Sequence, residues 1–451
     1  MQQDPRVILH IGFDDTDSLK GSCTTYLATE LINRLHKKVE FLDFPRLIRN
    51  NPNIPWKTRG NGAIAITISV EEEQIDSVIS TSIDTIEELH QDSPDTNPGI
   101  VFFKDKIPDE IIKFSSKALT EVISISLAKK YAERYCYRYY TIGNGRGIIG
   151  GLAAVGNILN PGKEDFTFEI LTYRVANFIG KKRRLNDESV RRMDEQLSPW
   201  VFNNIDEESK KVLINPAGLD PVLYGIRGEN PEILLKAKEL VEIDEPLDSY
   251  CIFRTNQGTD QHFKYSKPII RNFSVFKGKV KVIEKPETLV GGHVFFKGLI
   301  LEKNQMINVA AFEPSKKFRN VIRDLLPGDK LIAYGGIRHK TEIENFTLQL
   351  EKCDIYFLSE HFTEEAPFCP KCEKRMTSDG SNKGYKCKKC GYKDHNLQKT
   401  KTKIQRKITL GTYIPPEQAQ RHLVKPFRRY NIQRKKSFEI IENWWKKKFS
   451  D

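Results

Sequence analysis

The sequence predicts a multidomain chain in which α/β and α+β units are joined to a β-barrel. Three observations carry that reading. A length of 451 residues holds about three or four domains. The first quarter alternates strand-like and helical patterns around a short apolar run that ends in acidic residues. After residue 273 the pattern changes to short strands, and two Cys-x-x-Cys pairs follow.

The apolar run is Val7 to Phe13, and Asp14, Asp15, Asp17 and Ser18 stand at its end. Gly21, Ser22, Cys23, Thr24 and Thr25 follow, and then a helical pattern at Leu27, Leu31, Ile32 and Leu35. Adjacent carboxylates at a strand end repel one another unless a cation lies between them. Mg²⁺ prefers such oxygens together with substrate phosphates. The first turn of the next helix offers free N–H groups and hydroxyls to those phosphates. The stretch therefore reads as a metal–nucleotide site, with Asp14 and Asp15 on magnesium and Thr24 or Thr25 beside the phosphates. A plain helix cap is the bland alternative.

Residues 45–62 carry three prolines and two glycines, which argue against a long regular element. Arg46, Arg49, Lys57 and Arg59 make this loop basic, and Gly60, Asn61 and Gly62 let backbone approach a ligand closely. A strand at 63–70, a helix at 74–91, a strand at 100–103 and a long amphipathic helix at 109–133 complete a first unit, residues 1–138. A second unit, 139–250, opens on a small-residue helix (144–159) and a half-buried strand (165–174). Asp165, Glu169, Asp206, Asp220 and Glu229 are its candidate carboxylates for a cationic substrate. Residues 251–262 form a strand that breaks into a polar loop, read as an RNA contact or a positioning element.

Residues 265–360 contain five short strands, with a helical insert at 315–326 between the third and fourth. That is the arrangement of an oligonucleotide/oligosaccharide-binding barrel. Cys369, Cys372, Cys387 and Cys390 have zinc-ribbon spacing within residues 366–395; Cys23, Cys136, Cys251 and Cys353 are scattered. The net charge of +12 is uneven. From Cys369 onward there are 23 Lys and Arg against 7 Asp and Glu, while the rest of the chain is slightly acidic. Residues 396–451 therefore read as a basic RNA-binding extension, with Arg421 and Lys425 among interleaved aromatics and a short aromatic-faced helix at 437–449. No apolar run approaches eighteen residues and Met1 to Arg6 is polar, so a cytoplasmic protein without a membrane partner is expected. No motif points to an obligate protein partner.

The strings Gly12 to Ser18, Gly21 to Tyr26, Lys57 to Gly62, Asp220 to Glu229 and Arg254 to Asp260 resemble, in order, those of the archaeal agmatidine synthases, the tRNA(Ile) 2-agmatinylcytidine synthetases. Phe13, where a smaller aliphatic residue is usual, and the length of the tail after Phe427 depart from the pattern. The resemblance implies a kinase-like ATP-binding domain, a ferredoxin-like domain, the barrel and the ribbon. It implies an ATP-dependent carbon–nitrogen ligase that attaches agmatine to the wobble cytidine of the CAU-anticodon isoleucine tRNA. Asp14, Asp15 and Asp17 would hold Mg²⁺ and phosphates, and Thr24 matches a self-phosphorylated threonine. Lys57 and Arg59 would neutralise transferred charge, while Ser18, Gly21, Thr25, Gly60, Asn61 and Gly62 would line the nucleotide. Asp165, Glu169, Asp220, Arg254, Arg421 and Lys425 would meet amine or RNA. The residues alone leave open a non-catalytic single-strand-binding protein, or an ATP-dependent RNA enzyme with another acceptor.

Overall fold

The computed structural model describes residues 6–18, 21–57, 60–91, 93, 95–216, 218–339, 346–432 and 435–447. The chain begins with β1 (Arg6–Asp14), α1 (Thr24–Leu35), β2 (Glu40–Phe41), β3 (Arg46–Arg49), β4 (Gly62–Glu71) and α2 (Ile75–Leu89). It continues through β5 (Gly99–Lys104), α3 (Asp109–Ala118), α4 (Ile125–Tyr135), β6 (Arg138–Thr141) and α5 (Gly147–Gly156). Next come β7 (Thr167–Arg174), α6 (Asp187–Leu197), β8 (Val201–Phe202), β9 (Val222–Gly228), α7 (Pro231–Leu240), β10 (Leu247–Thr255) and α8 (Gln261–Tyr265).

One sheet runs through all of this, in the order β6-β5-β1-β4-β3-β10-β7-β9-β8. The division expected at residue 138 therefore falls inside a continuous sheet. Its two halves meet where β3 pairs in parallel with β10, Arg46 opposite Arg254 and Leu47 opposite Thr255. In the second half the four strands β10-β7-β9-β8 are antiparallel. Helix α6 links β7 to β8 and α7 links β9 to β10, which is the split βαβ arrangement of ferredoxin-like domains.

Helix α5 fits because it is made of small residues. A Cβ on Gly12 of β1 would lie 2.4 Å from the Gly151 carbonyl oxygen, so helix and strand touch backbone to backbone. The helix expected over 109–133 is two helices. Ser124 accepts a hydrogen bond from the Leu127 N–H (3.2 Å) and caps α4. The break frees residues 118–125 to form the wall of a cavity. Strand β7, expected to be half-buried, is buried along its whole length, because its polar side lies under other parts of the chain.

The barrel comprises β11 (Val275–Val282), β12 (Glu287–Thr288), β13 (Val294–Ile300), β14 (Gln305–Ala311), α9 (Lys317–Arg323), β15 (Lys330–Arg338) and β16 (Thr347–Phe357). The main strands run β11-β15-β16-β14-β13, and β13 returns to β11 to close the barrel. The β14–β16 pair is parallel and α9 lies between β14 and β15, as the strand spacing predicts.

The C-terminal segment corrects the sequence reading. The described part of 437–449 holds no helix. Trp445–Lys447 forms a strand on β10, and Trp444 is buried against Phe41 and Phe44. The basic residues of this extension pair with the body. Arg429 donates to Asp165 and Glu229, Lys435 to Glu229 (2.6 Å), Arg428 to Asp194 (2.8 Å) and Lys447 to Glu30 (2.6 Å).

Gly12→Ala forces a methyl group into the Gly151 carbonyl with no flexible side chain to yield. Overpacking of this kind costs about 1–3 kcal/mol. Urea unfolding of the variant is expected to show its midpoint lowered, with ribbon and barrel unaffected.

Candidate active site

The acidic loop sits between two cavities. Asp15 has φ 63°, a left-handed conformation that aspartate tolerates better than most residues. This turn sends successive carboxylates in different directions. Asp14 and Asp15 line a cavity of about 400 Å³ together with Asn50, Lys57, Asn61, Arg146 and an apolar wall that includes Ile54, Val122, Ile123 and Ile125. Asp17 lines a second cavity of about 330 Å³ with Thr24, Arg49, Glu169, Asp220, Arg227 and His422. An open groove of about 1050 Å³ borders both; it shares Asn50, Lys57 and Arg146 with the first and Asp17, Arg49, Asp220 and His422 with the second.

In the first cavity Asp15 is already matched. Arg146 donates from Nε to Oδ2 (3.0 Å) and from Nη2 to Oδ1 (2.8 Å), and the Asn97 N–H donates to Oδ2 (3.1 Å). Asp14 Oδ1 accepts from the Asp15 N–H (2.7 Å). Its other oxygen faces α5, where a Cβ on Gly150 would lie 1.8 Å away. Burial, and then the neighbouring Asp15 charge, push the Asp14 carboxyl well above its usual range. A cation beside Asp14 would offset the repulsion between these two carboxylates. Lys57 is held below its ordinary pKa by burial and by Arg421 and Arg338.

In the second cavity Thr24 opens α1. Its N–H and its hydroxyl both donate to Asp17 Oδ1 (2.7 and 3.0 Å), and Thr16 donates to the Thr24 hydroxyl (3.0 Å). Glu169 accepts from Arg227 (3.1 Å) and Gln257 (2.5 Å). Asp220 accepts from Arg183 (3.2 Å) and the Val222 N–H (2.9 Å). Burial, with Arg49, Arg227 and Lys57 around it, keeps His422 far below the usual imidazole pKa. Its neutral ring accepts at Nδ1 from Arg227 (2.7 Å).

The predicted residues divide accordingly. Asp14, Asp15, Asp17, Thr24 and Lys57 stand at the two cavities as described, and Arg59 lies outside the described residues. Of the expected nucleotide residues, Asn61 borders the first cavity. Thr25, Gly60 and Gly62 border the second, and Ser18 borders the groove. Gly21 packs near Ile179 and Leu219. The closeness at Gly60 is to the chain itself, since a Cβ there would meet Arg49 and His422 at 2.6 Å.

Glu169 and Asp220 line the second cavity and Arg421 the groove, but Asp165, Arg254 and Lys425 do not reach any of the three. Asp165 is taken by Arg429 and by Lys425 (3.0 Å), which outweigh burial and hold its carboxyl below its ordinary value. Asp206 and Glu229 likewise serve the C-terminal extension, through the Gln418 N–H and Lys435. Arg254 is buried, donating to Asp43 and to the Leu159 carbonyl (2.7 Å), so the 251–262 string positions the halves of the sheet. Sequence reasoning missed Arg146, Arg227 and His422; Arg146 sits in the Asn144–Gly147 string, which reads as the opening of a close-packed helix.

In the ribbon the sulfurs of Cys369, Cys372, Cys387 and Cys390 lie within 4.8 Å of one another. Four thiolates at this spacing suit a closed tetrahedral zinc site of structural type.

Three family descriptions match the chain: "TiaS TCKD domain" over 10–144, "TiaS FLD domain" over 145–262 and "TiaS C-terminal zinc ribbon domain" over 366–408. The isoleucine-tRNA 2-agmatinylcytidine synthetase TiaS of Thermococcus sibiricus is 41% identical over 428 residues, 93% of this chain and 96% of that protein. The crystal structure of TiaS in complex with isoleucine tRNA and ATP matches with a TM-score of 0.84 at 37% identity, covering 96% of this chain and 100% of the other. A complex of TiaS with isoleucine tRNA, AMPCPP and agmatine matches with a TM-score of 0.81 at 35% identity over the same shares.

Two expectations follow from this geometry. The folded-state pKa of Asp14 is raised, so the native state holds that proton more tightly than the unfolded chain does. The resulting stability is full below the unfolded value of about 3.9 and is lost as pH rises toward the folded value. Asn does not titrate, so without divalent cations the melting temperature of Asp14→Asn relative to wild type should climb as pH rises above the unfolded value of about 3.9. A chelator should release one zinc per chain and expose the ribbon to protease while the large sheet keeps its protection. Zinc release with a chromogenic reporter and limited proteolysis test this.

Proposed function

The chain belongs to the TiaS family, and from that premise we infer how its two cavities divide one reaction. It is an ATP-dependent ligase that joins agmatine to the CAU-anticodon isoleucine tRNA. The observation that carries the assignment is the pair of chemically different cavities on either side of one acidic loop.

The first cavity suits ATP. Its apolar wall fits a base, and Lys57 and Arg146 suit phosphates beside Asp14 and Asp15. Magnesium at Asp14 would neutralise phosphate charge, and Asp15 would join it by releasing Arg146. The second cavity suits the amine. Asp17, Glu169, Asp220 and Glu417 surround it against Arg49 and Arg227, an excess of carboxylates that fits a doubly cationic substrate. The groove brings the wobble cytidine of the CAU anticodon, flipped out of its stack, between the two.

The chemistry needs a better leaving group than a ring carbonyl oxygen. Transfer of the γ-phosphoryl group forms a bond from the cytosine O2 to phosphorus, and the bond to the ADP oxygen breaks. The agmatine amine then attacks C2 and loses a proton, and inorganic phosphate departs with O2. The agmatidine formed in this way lets the tRNA read AUA codons. Thr24 would take part in the phosphoryl transfer that the family resemblance implies, and the Asp17 carboxylate that accepts from its hydroxyl would take the proton. We propose that this work is done in the cytoplasm, where ATP and tRNA meet.

The test is incorporation of labelled agmatine into the unmodified CAU-anticodon isoleucine tRNA, with and without ATP. Incorporation should require ATP and be abolished in Asp14→Asn. Asp220→Asn should raise the agmatine KM about tenfold or more, the worth of a charge-assisted hydrogen bond, and leave the ATP KM unchanged. Loss of ATP dependence would overturn the ligase reading, and an ATP KM that moves instead would reverse the assignment of the cavities.

A further inference from the structure

The mouth of the groove holds a cluster that the reaction above does not use. Trp56, in the loop between β3 and β4, is 55% exposed. Its ring meets that of Phe273 at 5.6 Å and 66°, edge to face. Phe273 has φ 64°, a left-handed conformation that bulky residues rarely hold. Two hydrogen bonds keep it there: its N–H donates to the Ile337 carbonyl (2.9 Å), and its carbonyl accepts from Asn51 Nδ2 (2.8 Å). The Arg338 guanidinium lies 4.7 Å from the Phe273 ring centroid. Backbone strain of this sort persists where the surroundings over-determine it, and it clusters at functional sites.

The charges point the same way. Lys57, Arg338 and Arg421 all line the groove. Burial and then Arg421 lower the pKa of Arg338, and Lys57 feels both arginines. Glu351, 3.4 Å from Arg421, is the carboxylate that faces this group. Three mutually repelling cations beside the exposed Trp56 ring and the half-buried Phe273 ring behind it form the surface that single-stranded nucleic acid requires, cations for phosphates and rings for bases. At about 1050 Å³ the groove is also at the upper limit of what encloses one small ligand.

We propose that Trp56, Phe273 and Arg338 form a stacking platform for the single-stranded RNA nucleotides that flank the base being modified. The proposal rests on the reading that the groove admits the tRNA anticodon. It gives the barrel a part in the active site, because Phe273 precedes β11 and Arg338 ends β15. The adenine of ATP is the competing occupant, since Trp56 also borders the first cavity. Phe273 and Arg338 do not, and the apolar wall of that cavity lies elsewhere.

The experiment measures binding of the full-length protein to the unmodified CAU-anticodon isoleucine tRNA and to its anticodon stem-loop, by anisotropy across a salt series. Trp56→Ala and Arg338→Gln are the variants, with Trp56→Phe as the conservative control; Trp56 is exposed, so its loss should not disturb folding. Trp56→Ala should weaken binding of both RNAs about tenfold or more, and Trp56→Phe should restore most of it. Arg338→Gln should also reduce the slope of log affinity against log salt by about one. The ATP KM should not move. RNA affinity unchanged in both variants overturns the platform, and so does an ATP KM that rises while RNA binding is kept. Failure of wild type to incorporate agmatine would instead strike the functional reading, which separates the two.

Discussion

The structure depends on a buried polar junction at residues 254–261. Buried amides must find partners, and here each partner comes from a different part of the chain. Asn256 accepts from the Arg49 N–H (2.8 Å) and donates to the Arg49 carbonyl (3.0 Å), so its side chain continues the pairing of β3 with β10. Gln257 accepts from Arg49 Nε (3.2 Å) and donates to Glu169. Asp260 accepts from Lys352 of the barrel (2.8 Å) and from the Lys425 N–H of the C-terminal segment (2.8 Å). One short loop thus holds both halves of the sheet, the barrel and the tail in register. Gln257 bridges Arg49 and Glu169, two of the residues that line the second cavity.

The C-terminal extension shows how a charge count misleads when partners are distant. Its surplus of Lys and Arg reads as a polyanion grip, yet Arg428, Arg429, Lys435 and Lys447 close onto carboxylates of the body. Those carboxylates, Asp165 and Glu229 among them, read in turn as ligands for a cationic substrate. The patterns show the correct chemistry but not these partners, which lie within the chain itself. Trp444 and Trp445 behaved alike: their spacing suits a helix face, but β10 offers an open edge, and pairing with it wins.

Legibility followed sequence distance. β1, its acidic loop and α1 lie within thirty residues, and the ribbon cysteines within about twenty, so their patterns are local and the structure keeps them. The barrel was legible because its strands are short, alternating and consecutive. Arg146 meets Asp15 across 131 residues, and His422 meets Arg227 across 195. No spacing rule reaches that far. The break between α3 and α4 was hidden for another reason: both halves keep an amphipathic pattern, and a lone Ser124 marks the interruption.

The acidic loop also separates the two cavities. A ligase that activates one substrate with ATP and attacks it with an amine must keep the amine from the nucleotide until the base lies between them. The left-handed turn at Asp15 would do this with four residues. It turns Asp14 and Asp15 toward the first cavity and Asp17, with Thr24 on it, toward the second. The carboxylates are adjacent in sequence and opposed in space. With ATP in the first cavity and the amine in the second, the wall between the reactants would be the same segment that binds both, and closing the gap would require the base in the groove.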